Sequence, residues 1–106
     1  MSFVVVAKFR AKLDCVVELN DLITETAKAS WEEPGLIKYI LILDPNQVNL
    51  FTIVEFFNSE EDFLKHRDSS YLKSFRDSLE NLLLEPPDVI RGIPVLDALN
   101  PKAGVN

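Results

Sequence analysis

The chain is poor in the residues that build metal and cofactor sites: among 106 residues there are one histidine, one cysteine and three glycines. A lone cysteine, Cys15, closes no internal disulfide, which fits a cytoplasmic protein. His66 and Cys15 lie far apart, with no HExxH, CxxC or His-rich tract, so no metal site is expected. The glycines are isolated, which excludes a glycine-rich phosphate loop, and no serine sits in a nucleophile-elbow context. No cofactor is therefore expected. Positive charge is also scarce. Eleven Lys and Arg face seventeen Asp and Glu, a net charge of −6, which excludes the basic footprint of a nucleic-acid binder and disfavours docking on anionic lipid. The apolar stretches fall far short of the ~20 residues that a membrane-spanning helix needs. The N-terminal Phe3-Val4-Val5-Val6 lacks the basic flank of a signal peptide and is soon followed by Lys8 and Arg10.

What is abundant is apolar strand. In Leu50-Phe51-Thr52-Ile53-Val54-Glu55-Phe56-Phe57, alternation sends Leu50, Thr52, Val54 and Phe56 one way and Phe51, Ile53, Glu55 and Phe57 the other. Both sets are largely apolar, and Leu36 to Leu43 behaves alike. An antiparallel sheet with one wet face should alternate apolar and polar. So short a chain has too little helix to cover both faces, and a second copy is the natural cover.

The patterns predict a strand over Phe3–Arg10, then a helix capped by Asp14 with Val16, Leu19, Ile23, Ala27 and Ser30 on one face and Leu22 widening it. Glu32-Glu33-Pro34-Gly35 stops that helix. Strands over about Leu36–Leu43 and Leu50–Phe57 flank a turn at Asp44–Asn49. Ser59-Glu60-Glu61-Asp62 resembles a capping box and opens a short helix to about Arg67. After a break at Asp68-Ser69-Ser70, a longer helix carries Leu72, Phe75, Leu79 and Leu82 to about Leu84. A last strand runs from Asp88 to Leu96, with Pro94 marking an irregular or edge position. Residues 1–97 form one domain and 98–106 a tail. The β-α-β-β-α-β order is the ferredoxin-like α+β fold: a four-stranded antiparallel sheet with helices on one face. Its free face suits a twofold partner, giving a homodimeric α+β barrel.

Few residues could carry chemistry. His66 follows Phe63 by three positions, so both can share the inward side of the short helix; the ring could shuttle a proton or simply bond backbone at a helix end. Glu55, among Phe51, Ile53 and Phe57, is costly to bury unpaired. It is either a base of raised pKa or the partner of Lys8, Arg10, Lys38 or Arg91. Tyr39, Tyr71 and Trp31 could line a pocket or fill core and rim. Arg67 and Arg91 could hold an anion or be ordinary surface arginines.

In combination these residues point further. Glu33-Pro34-Gly35-Leu36-Ile37-Lys38-Tyr39 resembles the EPG-x-x-x-Y start of strand two in the antibiotic biosynthesis monooxygenase family. Val54-Glu55-Phe56-Phe57 is similar to its VE-x-W, and His66-Arg67-Asp68-Ser69 to its H-x-x-S. Tyr71, Phe75 and Glu85-Pro86-Pro87 match in order, and the resemblance spans about Val4 to Val95. It implies a dimeric barrel, with a pocket between sheet and helices, that oxidises a small aromatic, phenolic or quinol substrate with O₂ and no cofactor. His66 would be the acid/base or orienting group, and Tyr39, Glu55, Phe57, Phe63 and Tyr71 would bind substrate. Two features depart from the pattern. Phe57 replaces the family's tryptophan and removes an indole donor. No histidine follows His66, which excludes the iron ligand of related haem-degrading proteins. The same barrel also hosts isomerases and ligand-binding stress proteins, and a purely structural dimer is the remaining reading.

Overall fold

The structure is a computed structural model and describes residues 2–95. Four antiparallel strands, β1 (Phe3–Arg10), β2 (Leu36–Asp44), β3 (Gln47–Phe57) and β4 (Asp88–Gly92), lie in the order β2-β3-β1-β4. Helices α1 (Val16–Ser30), α2 (Glu60–Arg67) and α3 (Ser70–Leu79) complete the ferredoxin-like α+β fold. None of the described helices is long and apolar enough to cross a membrane.

Alternation in β1 and β3 splits the sheet. Phe3, Val5, Ala7 and Phe9 of β1 are buried, as are Phe51, Ile53, Glu55 and Phe57 of β3. Residues opposite each other in an antiparallel ladder share a face, and the register pairs Val5 with Glu55, Ala7 with Ile53 and Phe9 with Phe51. This inner face meets Leu19 and Ile23 of α1 and Phe75 and Leu79 of α3 in the larger core cluster. A smaller cluster joins Phe3, Val5, Phe57 and Phe63 under α2. The outer face carries Val4, Val6, Ile40, Leu50, Val54 and Phe56, all half-buried.

Several boundaries differ from the sequence reading. The turn between β2 and β3 is only Pro45-Asn46, and Val48 and Asn49 belong to β3. The Asp44 carboxylate accepts from Asn46 N–H at 2.8 Å, which closes the turn locally. Asp14 does not cap α1: a single 3-10 turn, Leu13–Cys15, precedes it, with no side-chain cap bond. Helix α3 stops at Leu79 rather than near Leu84. Beyond it the chain pairs with the end of β1, through Lys12 N–H to Leu82 O at 2.9 Å and Leu84 N–H to Arg10 O at 2.9 Å, and these bonds replace those of further helix. Strand β4 ends at Gly92; Leu96 and the tail from 98 lie outside the described residues. The Ser59 cap holds, with Ser59 Oγ accepting from Asp62 N–H at 3.2 Å and donating to Asp62 Oδ2 at 3.0 Å in place of the box's return bond.

Candidate active site

The site begins with one side chain, Glu55, in a strand whose inner neighbours are Ile53 and Phe57. Its burial needs a partner. That partner is none of the four basic residues on the strands but His66, whose Nε2 lies 3.1 Å from Glu55 Oε2. The expected ion pair with Lys8, Arg10, Lys38 or Arg91 is replaced because Glu55 faces the helices. Alternation puts Lys8, Arg10 and Lys38 on the opposite face. Arg91 shares the inner face, but its guanidinium stacks over the Phe63 ring at 5.3 Å.

His66 is only 3% exposed. Its ring lies against Phe57, with centroids 5.2 Å apart, and Phe57 in turn packs edge-on to Phe63 at 5.7 Å. The other ring nitrogen, Nδ1, lies 2.9 Å from Glu33 Oε2. Glu33 belongs to the turn after α1, and Tyr71 of α3 donates its hydroxyl to the same Glu33 oxygen. Tyr71 Oη also lies 3.2 Å from Ser30 Oγ and 3.3 Å from His66 Nδ1. Three separate segments, β3, the turn after α1 and α3, therefore converge on one imidazole of α2. The carboxylates bind opposite edges of the ring, and among the described residues no three such groups could hold a metal ion.

Burial alone pushes the His66 imidazolium down. The hydrogen bond and charge of Glu55, followed by those of Glu33, outweigh it, so the pKa lies above its ordinary value of 6.5. Tyr39 stands directly across from Glu55 in the β2–β3 ladder. Burial and then the Glu55 charge raise its phenol pKa, so it remains a protonated donor.

Between this face of the sheet and the helices lies a cavity of about 170 Å³. Glu55, His66 and Tyr39 give it a polar end, Phe63 and Phe75 give it aromatic walls, and Arg67 and Arg76 also line it. A cavity near 150 Å³ can hold benzene, so this one has room for a single aromatic ring. Of the residues expected at the site, Tyr39, Glu55, Phe63 and His66 line the cavity. Phe57 is fully buried behind His66, and Tyr71 opens instead onto an outer cleft beside Glu33, Pro34 and Lys65. Trp31 is 62% exposed at the C-terminal end of α1. Glu33 was legible only as a helix stop and a letter of a motif, because its partners lie 33 and 38 residues away.

The family model of antibiotic biosynthesis monooxygenases matches residues 2–78. The chain belongs to that family. Rv0793 of Mycobacterium tuberculosis is 22% identical, over 92% of this chain and 99% of its own, with a TM-score of 0.87. A conserved protein of Methanosarcina mazei is 22% identical over 87% and 91%, with a TM-score of 0.82. A structure described as an antibiotic biosynthesis monooxygenase is 16% identical over 89% and 99%, also at 0.82. At these identities the likeness is one of fold. No functionally curated protein matches the chain. Within the family motifs, Glu33 and Gly35 gain structural reasons. A Cβ on Gly35 would collide with the Asp62 side chain, so glycine lets the Glu33 turn pass close to the capped start of α2.

Proposed function

We propose that the protein is a cofactor-independent monooxygenase of a small phenolic or quinol substrate, and that it works as a cytoplasmic homodimer. The observation that carries the reading is the Glu55–Tyr39 pair: an acceptor and a donor on neighbouring strands at the polar end of a mostly apolar cavity. A substrate hydroxyl placed there gives its proton to Glu55, and Tyr39 O–H hydrogen-bonds the oxyanion that results. The electron-rich anion reduces O₂ and forms a carbon–oxygen bond. Glu55 returns its proton to the distal peroxide oxygen, then takes the hydrogen of the oxygenated ring carbon as a proton while the O–O bond breaks, and the departing hydroxide collects that proton and leaves as water. Hydroquinone plus O₂ thus gives hydroxyquinone plus water, with all four electrons supplied by the substrate. His66 orients Glu55, Phe63 walls the ring, Phe57 supports His66 from behind, and the low-dielectric cavity strengthens each polar contact.

Oxygen uptake by metal-stripped protein with a panel of hydroquinones is the test. Glu55→Gln keeps the shape but removes the acceptor and should lower kcat by about 10²–10⁴-fold. Unchanged uptake in that variant, or none above buffer in the native protein, sinks the proposal. Phe57 in place of the family's tryptophan favours a second reading, a non-redox isomerase or ligand-binding protein in which the same pair moves a proton between two substrate atoms. Stoichiometric O₂ consumption with a hydroxylated product would exclude it.

A further inference from the structure

We propose that Glu33 and Tyr71 are positioning residues that act from outside the cavity: together they keep the His66 ring protonated on both nitrogens and aligned on Glu55. This rests on the reading of Glu55 as proton acceptor. The geometry leaves the ring little choice. Carboxylate oxygens stand at both nitrogens, 2.9 Å from Nδ1 and 3.1 Å from Nε2. A carboxylate only accepts, so a neutral ring would turn a lone pair toward one of them, whereas the imidazolium donates to both. Tyr71 fixes the Glu33 end of the trio. Its hydroxyl donates to the same Glu33 oxygen that Nδ1 meets, so that oxygen is held in place against the ring.

The groups facing the ring are few. Glu55 comes from β3, Glu33 from the turn before β2, and Tyr71 from α3, with Tyr39 of β2 beside Glu55 and Phe57 behind the ring. Only Glu55 and Glu33 bring charge that shifts the ring, and both favour the proton. The polar line crosses α2 from the inner cavity, where Glu55 and His66 lie, to the outer cleft, where Glu33 and Tyr71 lie. The outer pair touches no substrate. Its work is to hold a positive charge behind the acceptor, so that Glu55 stays fixed until a substrate proton arrives, and to hold the ring still once it has arrived.

His66 is the only histidine, so in tag-free protein its ring nitrogens can be read individually by ¹⁵N NMR across a pH titration. The expected result is a ring protonated on both nitrogens at pH 7, with a midpoint above 6.5. Glu33→Gln should weaken proton binding by about tenfold or more, Tyr71→Phe by a smaller factor in the same direction, and Glu33→Asp should restore part of the loss. In oxygen-uptake assays the alkaline limb of kcat should move to lower pH in Glu33→Gln and Tyr71→Phe, with KM unchanged. A singly protonated ring at pH 7, or a midpoint that neither variant moves, overturns the proposal. Tyr71→Phe, which loses one oxygen, keeps the test decisive if Glu33→Gln does not fold. The titration needs no turnover. A shifted midpoint without oxygen uptake therefore supports the pair while defeating the monooxygenase reading, and uptake with unmoved midpoints does the reverse.

Discussion

The two faces of one sheet are built from similar residues and come to different ends. On the inner face, Phe51, Ile53 and Phe57 are sealed by helices and surround a carboxylate held by the only histidine. On the outer face, Leu50, Val54 and Phe56 are just as apolar, yet no described helix covers them. The inner face can enclose a charged pair because every donor and acceptor has a partner; among the described residues, no buried side-chain nitrogen or oxygen lacks one. The outer face has nothing polar at its centre to satisfy, so what it offers is area. In the proposed function, chemistry falls to the face with the harder burial problem, and association to the easier one.

Three substitutions or titrations break or sharpen that contrast. The largest effect is expected on the inner side. Phe57→Ala removes a fully buried ring from beneath His66 and should cost about 3–5 kcal/mol in urea-melt stability, with loss of His66 alignment in NMR spectra. A cost under 1 kcal/mol would mean the site does not lean on that ring. The outer side should respond differently. Val54 lies between Val6 and Ile40 at the middle of the open face, and Val54→Lys should leave chain stability within roughly 1 kcal/mol but halve the mass in light scattering, from twice 12.0 kDa to 12.0 kDa. A native protein that is already monomeric refutes the dimer.

The smallest effect is one of pH. The folded pKa of His66 is raised, so its stabilising contribution is fully present below the unfolded value of 6.5 and is lost as pH rises through the higher folded value. Urea midpoints should therefore fall between pH 6.5 and the alkaline end of that window. His66→Gln should flatten the slope, and an unchanged slope would place its origin elsewhere.

Much of the fold was legible in the sequence because its signals are local. The strand over Phe3–Arg10, the break between α2 and α3 and the Ser59 cap each rest on alternation or on residues within three or four positions. The end of α3 was not legible, because Leu84 and Leu82 find backbone partners at and just beyond the end of β1, some seventy residues earlier. The two faces of β3 could be separated by parity, but parity does not say which face the helices cover. That left the partner of Glu55 open. His66 and Glu55 could each be singled out; that they meet is a property of the packing of α2 on the sheet. Glu33 shows the limit most clearly, since turn chemistry explains its neighbours Pro34 and Gly35 and leaves its carboxylate unaccounted for.

Trp31, the only tryptophan, sits at the water-facing end of α1, two residues before Glu33. The natural fluorophore of this protein is therefore nearly blind to melting of the core, since its surroundings are already aqueous when the chain is folded. Its emission instead watches the short turn that carries Glu33. Denaturation followed by fluorescence and by circular dichroism would report different events, and quenching of that one indole would be an inexpensive optical handle on the outer end of the His66 site.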